Sequence, residues 1–135
     1  MILDKTAAAL YTTLNAGTAL TALLARTDGI YDTQAPDGAV LPYVVFSHQA
    51  GGPENVDPNN LEQNVWYVRA YDDTRFKDAT EIFEQIDTLL NKVNISITGF
   101  NTLRCVREEN VRILETLPNK TKIWGVGGMY RIRTG

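Results

Sequence analysis

The order of apolar and polar residues along the chain predicts two helical segments separated and followed by strands. The first segment is residues 4–26, where apolar side chains recur at helical spacing on an alanine-rich background. A stop signal at residues 15–17 divides the segment into a broken helix or two short helices. Asp4 and Thr18 are placed to cap the two parts.

A longer amphipathic helix is predicted after Asp72. Apolar residues recur from Phe76 to Val93 with the period of an α-helix, and charged residues lie off this stripe. Asp73 or Thr74 is expected to cap the N-terminus of the helix. The charged side chains along it are interpreted as a solvated surface.

Alternation of apolar and polar residues predicts strands in the rest of the chain. Residues 42–50 and 61–72 precede the long helix, and the second of these segments is apolar on both faces. A strand of that kind occupies a central position or has a second buried face. Residues 102–115 and 122–133 follow the helix, and residues 95–98 are expected to form a short edge strand.

One of the late strands has an interrupted pattern. Cys105 is expected on the same face as Val111 and Ile113. Arg107 and Glu109 fall on that face between them, which predicts a β-bulge or a strand that runs beyond the core.

Glycine and proline mark special backbone positions. Glycines cluster at residues 125–128, so another group is expected to pack closely against this strand. Residues 36–38, Pro-Asp-Gly, predict a tight turn in which the glycine takes a positive φ. Pro42 then directs the preceding residue into an extended conformation at the start of a strand.

The elements together predict an α+β fold, in which a mostly antiparallel sheet carries two helical segments packed on one face. At 135 residues the chain is expected to form a single domain, 1–135. No apolar run approaches the roughly 20 residues of a membrane helix, so no membrane partner is expected. The N-terminus lacks the charge and apolar order of a signal peptide.

Charge is unevenly distributed along the chain. Residues 1–62 contain seven acidic and two basic residues, whereas residues 63–135 contain nine acidic and eleven basic residues. This asymmetry suits head-to-tail contacts between copies, and chance clustering explains it equally well. Neither half is basic enough to predict nucleic-acid binding. The one cysteine, Cys105, excludes an internal disulfide and is interpreted as a small buried hydrophobe.

The search for chemistry gives no catalytic, metal or cofactor site. His48 has no second histidine or cysteine near it in sequence. The glycines at 125–128 do not connect a strand to a helix, so they do not predict a phosphate loop. The oxygen-rich segment 57–62 lacks the spacing of a calcium loop. Asp72 and Asp73 precede a helix, where capping and compensation of the helix dipole explain them.

Several segments carry a resemblance through their order and spacing. They are the stretch Tyr31-Asp32-x-x-Ala35-Pro36-x-Gly38, the strand at 41–46, the strand at 66–71 followed by Asp72-Asp73, and the helix at 76–90. In this arrangement the chain resembles the small tail-terminator, or tail-completion, family of long-tailed bacteriophages. The resemblance covers about residues 5–133, and its motifs are structural rather than catalytic.

The resemblance implies a structural virion protein that is not an enzyme and uses no cofactor. It implies a homo-oligomeric ring, usually of six copies, that caps the head-proximal end of the tail tube and stops tube polymerisation. The implied partners are the tail tube protein and the head-completion or connector protein, with genomic DNA passing through the lumen without sequence-specific binding. The expected location is the tail or neck of the virion, after assembly in the host bacterial cytoplasm.

A ring component needs two different, complementary faces on each subunit, because heterologous contacts close a ring. The strands at 102–115 and 122–133 and the polar loop at 51–60 are the candidate faces. Charge reversal at Arg107 and Glu109 is expected to weaken assembly and to leave the monomer folded. The candidate contacts to other subunits or to the tube are Arg104, Arg107, Glu108, Glu109 and Arg112.

A lumen through which DNA passes is expected to be acidic or neutral, because tight phosphate binding would hinder passage. Glu54, Asp57 and Glu62 lie in or beside the polar loop of the acidic half. These three residues are the candidate lumen or loop contacts.

Other functions stay open from the sequence. One is another ring of the neck or tail, such as a head-closure or tail-tube protein. A second is a small non-enzymatic binding domain. A third is a hydrolase that uses Asp72 or Asp73, for which the sequence provides no partner residue.

Overall fold

A computed structural model describes residues 1–54 and 61–135 of the chain. The helices are α1 (Ile2–Asn15), α2 (Thr18–Thr21) and α3 (Phe76–Leu90). The strands are β1 (Ile30–Asp32), β2 (Tyr43–Pro53), β3 (Glu62–Asp72), β4 (Thr102–Thr116) and β5 (Lys122–Thr134). The predicted α+β fold is confirmed, as are the break after residue 15 and the long amphipathic helix.

The helix caps differ from the prediction at every N-terminus. Helix α1 already begins at Ile2, so Asp4 lies in its first turn. A carboxylate there stabilises the helix through the helix dipole, but it does not cap the N-terminus. Gly17 rather than Thr18 precedes α2, and Arg75 precedes α3. The side chain of Asp72 instead holds the approach to α3, because it accepts a 2.6 Å hydrogen bond from the backbone N–H of Thr74.

The five strands form one sheet in the order β1-β2-β3-β5-β4. β1 pairs with β2 in parallel, and the other three pairings are antiparallel. The predicted central position of β3 is therefore confirmed. β1 was not predicted, because three residues are too few to show a period.

The prediction of an edge strand at 95–98 is wrong. Within the described residues this segment contributes one isolated bridge, between Ile97 and Phe100. Ile95 and Ile97 are buried instead, so the segment inserts two apolar side chains into the core as it connects α3 to β4. Alternate burial made it look like a strand because both isoleucines point inward.

The helices pack on one face of the sheet. Fully buried residues of α1 and α3, among them Leu14 and Ile86, meet Phe46, Val68 and Ile132 from β2, β3 and β5. These contacts form the main core. Each Å² of apolar surface that it removes from water stabilises the fold by about 25 cal/mol.

The second face of the sheet, here named the outer face, has a smaller apolar cluster of its own. Val45, Tyr71 and Ile123 are buried there, and Leu41 packs against them. The cluster is covered by the link between β1 and β2, which contains the predicted turn with Gly38 at φ 79°. The peptide bond between Leu41 and Pro42 in this link is cis.

The glycines of β5 make room for side chains that lie across the sheet, as predicted. A Cβ on Gly125 would stand 2.8 Å from the ring of Tyr71, and one on Gly127 would stand 2.5 Å from the carbonyl oxygen of Val68. On the helix side, a Cβ on Gly128 would stand 2.9 Å from Phe83. Strand β5 is thus packed closely from both faces.

The predicted bulge in β4 is confirmed, and it changes the expected arrangement of faces. The register shifts between Arg107 and Glu109, which leaves Glu108 as the extra residue. Cys105 lies in the core beneath the helices, whereas Ile113 pairs with Gly125 across from Tyr71 on the outer face. The expectation that Cys105 shares a face with Val111 and Ile113 is therefore wrong, because one inserted residue inverts the alternation.

Adding one methyl group at Gly127 is expected to destabilise the fold. The new Cβ of Gly127→Ala would meet backbone atoms of β3, which cannot move aside, and we expect a loss of about 1–3 kcal/mol in the free energy of unfolding. Gly52→Ala is the matched control, because a Cβ at Gly52 meets nothing within 4 Å. Equal denaturation midpoints for the two variants would contradict this account of β5.

Candidate functional site

The five charged residues proposed for assembly all lie on β4, but they have different surroundings. Arg104 and Glu109 are exposed and form no ion pair within the described residues. Arg112 lies over the ring of Phe76 with its guanidinium carbon 3.9 Å from the ring centroid, a cation–π contact that fixes its direction. Arg104 and Glu109 are thus the two whose direction no ion pair or cation–π contact fixes within the described residues, whereas Arg112 is exposed with its direction fixed.

Arg107 is part of the fold as well as of the surface. Its Nη1 lies 2.9 Å from Oδ1 of Asp87 on α3, and the hydroxyl of Tyr130 donates a 2.8 Å hydrogen bond to the same oxygen. The three side chains connect α3, β4 and β5. Charge reversal at Arg107 would place a second carboxylate beside Asp87, so it is unsuitable for testing assembly without a change in stability.

Glu108 points along the outer face because of the bulge. Its carboxylate accepts a 2.6 Å hydrogen bond from Nε of Arg131, and this bond raises the pKa of Arg131 above its ordinary value. Both side chains are more than one-third exposed, so the pair contributes little to stability. Its effect is to balance charge on this part of the outer face.

Glu54, one of the candidate lumen residues, is bound in a similar way. Both of its carboxylate oxygens accept hydrogen bonds from Arg133, at 3.0 Å from Nε and 3.0 Å from Nη2. Glu62 is the first residue of β3 and is half-buried, opposite Pro53 and Thr134. Asp57 lies outside the described residues.

The outer face has a cleft of about 680 Å³ between the ends of β3, β5 and β4. Arg104, Arg131 and Arg133 line it together with Glu54 and Glu108. The sequence reasoning missed Arg131 and Arg133. Their signal was present, because both alternate with the buried Tyr130 and Ile132 and so had to face away from the helices.

The two ends of the sheet differ in charge. Around the β1 end, acidic residues are exposed on α1, before and on β1, and on the link to β2: Asp4, Asp28, Asp32 and Asp37. They outnumber the basic residues there, Lys5 and Arg26, the second of which is paired with Asp28. Around the β4 end, the basic residues Lys92, Arg104, Arg107, Arg112, Lys120, Lys122, Arg131 and Arg133 outnumber the acidic residues Asp87, Glu108, Glu109 and Glu115. The asymmetry of the sequence therefore becomes a separation in space.

The residues weighed for chemistry have structural surroundings. Nε2 of His48 lies 2.9 Å from Oδ1 of the buried Asn64, and its ring packs against Trp66. Asp72 holds the turn before α3, as described above. Within residues 1–54 and 61–135, no group of three or more metal-binding side chains comes together. No helix in these ranges is long and apolar enough to cross a membrane.

Burial suppresses the ionisation of Cys105. The thiol is 1% exposed, and desolvation raises its pKa from 9.0 to about 12. Burial likewise raises the pKa of Tyr67 to about 12. It also raises the pKa of Tyr130, whose hydroxyl donates a hydrogen bond to Asp87 that acts in the same direction. The unfolded thiol ionises near pH 9, so its contribution to stability is complete below that pH and is lost as the pH rises toward 12.

The fold is a single sheet with all of its helices on one side and with ends that differ in charge. The family model described as tail completion protein gp17 matches residues 8–121. The chain therefore belongs to the tail completion protein gp17 family and is a structural protein of the phage virion tail. This confirms the resemblance found in the sequence.

The fold also matches a solved structure. A chain in the virion of the native gene transfer agent particle superposes with a TM-score of 0.82 at 14% sequence identity. The match covers 98% of this chain and 96% of that chain. At this identity the likeness concerns the fold alone. A search of curated proteins gives no match.

The hydroxyl of Tyr130 is expected to stabilise the attachment of α3. Tyr130→Phe removes a hydrogen bond to a charged, partly buried carboxylate, and we expect the free energy of unfolding to fall by about 1–2 kcal/mol. Tyr11→Phe is the control, because Tyr11 is exposed and forms no hydrogen bond through its hydroxyl within the described residues. A Tyr130→Phe variant as stable as the control would show that this contact is not formed.

Cys105 is expected to resist alkylation in the folded protein. At pH 8 its raised pKa leaves a very small thiolate fraction, so iodoacetamide should react at least about a hundredfold more slowly than with the protein in concentrated guanidinium chloride. The rate is followed by mass spectrometry. Similar rates in the two conditions would contradict the burial of this thiol.

Proposed function

We propose that this chain is a tail terminator, which forms a ring at the head-proximal end of the phage tail tube. The ring stops polymerisation of the tube and joins the tail to the head connector. The observation that carries this proposal is the pair of unlike sheet ends, acidic beyond β1 and mainly basic around β4. A subunit with two different complementary ends makes heterologous contacts, and such contacts close into a ring.

Complementary charge also directs the order of contacts. Like ends repel each other, whereas the β4 end of one copy attracts the β1 end of the next. This arrangement disfavours back-to-back dimers and favours head-to-tail addition. Six copies are the number that we propose for the closed ring, with the tail tube protein on one side and the connector protein on the other.

We propose that the outer face near Glu54 and Glu62 borders the lumen. Arginine side chains line the cleft there. Arg131 and Arg133 are each held by a glutamate, and Arg104 is the one that we assign to the contact with the next copy. A paired guanidinium attracts phosphate less than a free one, which suits a channel through which genomic DNA passes without being retained. The family membership and the fold shared with a chain of a gene transfer agent virion support this role.

Reversal of one free charge at the β4 end is expected to weaken the ring without unfolding the monomer. Arg104→Glu places an acidic group where the acidic end of the next copy approaches, and we expect at least about a tenfold loss of ring, equivalent to about 1.4 kcal/mol. Native mass spectrometry of the protein with and without purified tail tubes measures the ring.

Lys77→Glu on the exposed side of α3 is the matched control, since it makes the same change of charge away from both sheet ends. The unmodified protein should form a ring at least in the presence of tubes, and particle images should place it at the neck. A strictly monomeric protein with tubes present, or a position along the whole tube, would overturn the terminator assignment.

A further inference from the structure

The outer edge of β4 is divided into a covered half and an uncovered half. β4 is the last strand of the sheet, so one row of its backbone groups faces away from β5. The linker after α3 covers the first half: the N–H of Lys92 donates a 2.7 Å hydrogen bond to the carbonyl of Cys105, and the side chain of Asn91 accepts a 3.0 Å bond from the N–H of Arg107.

The second half, residues 109–116, has no such cover within the described residues. The backbone groups of Cys105 and Arg107 point away from β5, and Glu108 is an inserted residue. Alternation after the bulge therefore places the backbone groups that point away from β5 at Asn110, Arg112 and Leu114. Soluble proteins usually protect such an edge, since it is a template for pairing with another chain. A protected half directly beside an open half indicates that the open half has a partner.

Two leucines are exposed among the polar side chains around the open half. Leu114 is 49% exposed and Leu117 is 39% exposed. A groove of about 350 Å³ runs between α3 and this half of β4, lined in part by Phe83 and Val126. A partner strand at the edge could place an apolar side chain against these residues.

The link between β1 and β2 offers a suitable segment. The β1 edge itself is partly closed by local turns, in which Ile30 donates to the carbonyl of Asp28 and Gln34 to that of Asp32. The link after β1 has free backbone groups beyond Ala39, whose N–H donates to the carbonyl of Pro36. Val40 is 61% exposed, and neither Val40 nor Leu41 forms a backbone–backbone hydrogen bond within the described residues. Asp37, in the turn before it, is exposed.

We propose that residues 109–116 of β4 pair through their backbone with the segment 39–41 of a second copy of this chain. The exposed Val40 of one copy then packs beside Leu114 of the next, and Asp37 approaches Arg112. The inference rests on the proposed ring and specifies its subunit contact. It adds backbone hydrogen bonds and apolar burial to the attraction between the charged ends.

The unmodified protein provides the first test. Hydrogen exchange followed by mass spectrometry compares ring and monomer, and we expect peptides that cover 109–116 to exchange at least about tenfold more slowly in the ring. Peptides that cover residues 104–107 serve as the internal reference, because their outward groups are already bonded. A ring in which 109–116 exchanges as in the monomer overturns this contact and leaves the ring itself established.

A backbone variant separates hydrogen bonding from side-chain packing. Leu114→Pro removes an outward N–H and leaves the bonds to β5, and Leu114→Ala keeps the N–H while it removes the same apolar group. We expect Leu114→Pro to reduce ring formation at least about tenfold relative to Leu114→Ala. Equal ring formation by two folded variants would overturn the pairing, and if Leu114→Pro does not fold, the exchange result decides.

Disulfide crosslinking identifies the occupant of the edge. In the oxidised ring, the double variant Val40→Cys with Leu114→Cys should form covalent multimers, and each single variant should remain uncrosslinked, since Cys105 is buried. Dimers from Leu114→Cys alone would show β4 pairing with β4 and overturn the proposal. The absence of any ring with tubes present would instead overturn the proposed function.

Discussion

A sheet that carries all of its helices on one side must bury the apolar groups of its other side without help from a second layer of helices. In this protein the glycines of β5 make this burial possible. Gly125 and Gly127 leave space above the strand that the ring of Tyr71 and the aliphatic part of Arg69 fill. The guanidinium carbon of Arg69 lies 4.5 Å from the ring centroid of Tyr67. The apolar groups of the outer face are therefore buried without a second layer of helices.

The attachment of α3 fixes the helix and also decides which part of the β4 edge is covered. Asp87, Arg107 and Tyr130 join the helix to the two last strands, while the linker after α3 covers half of the β4 edge. The other half is left open by the same arrangement. Within the described residues, the fold thus leaves residues 109–116 of β4 without a backbone partner on their outer side. This stretch lies at the end of the sheet where basic residues outnumber acidic ones.

The sequence was sufficient for the elements with a long period. The α3 stripe, the two-sided β3, the bulge near Arg107 and the close packing at the glycines all follow from local alternation, which sterics enforce. It was insufficient where a single inserted residue or a distant contact decides. The faces of Cys105 and Ile113 depend on Glu108, and the pairings of Glu54 and Arg133 join positions 79 residues apart. The segment with Ile95 and Ile97 resembles a strand in sequence, because two buried side chains separated by one exposed residue give the same alternation whether or not the backbone pairs with a neighbouring strand.

The bulge at Glu108 also determines which side chains of residues 109–116 face each side of the sheet. Deletion of that one residue would turn the remaining eight positions of β4 over, so that Val111 and Ile113 would point toward α3 and Arg112 and Leu114 toward the outer face. The chain would keep its strands with one residue fewer, yet the β4 end would present the opposite set of side chains. In the proposed ring every copy would repeat this exchange, because one residue left out of the β4–β5 ladder decides which side chains this end presents.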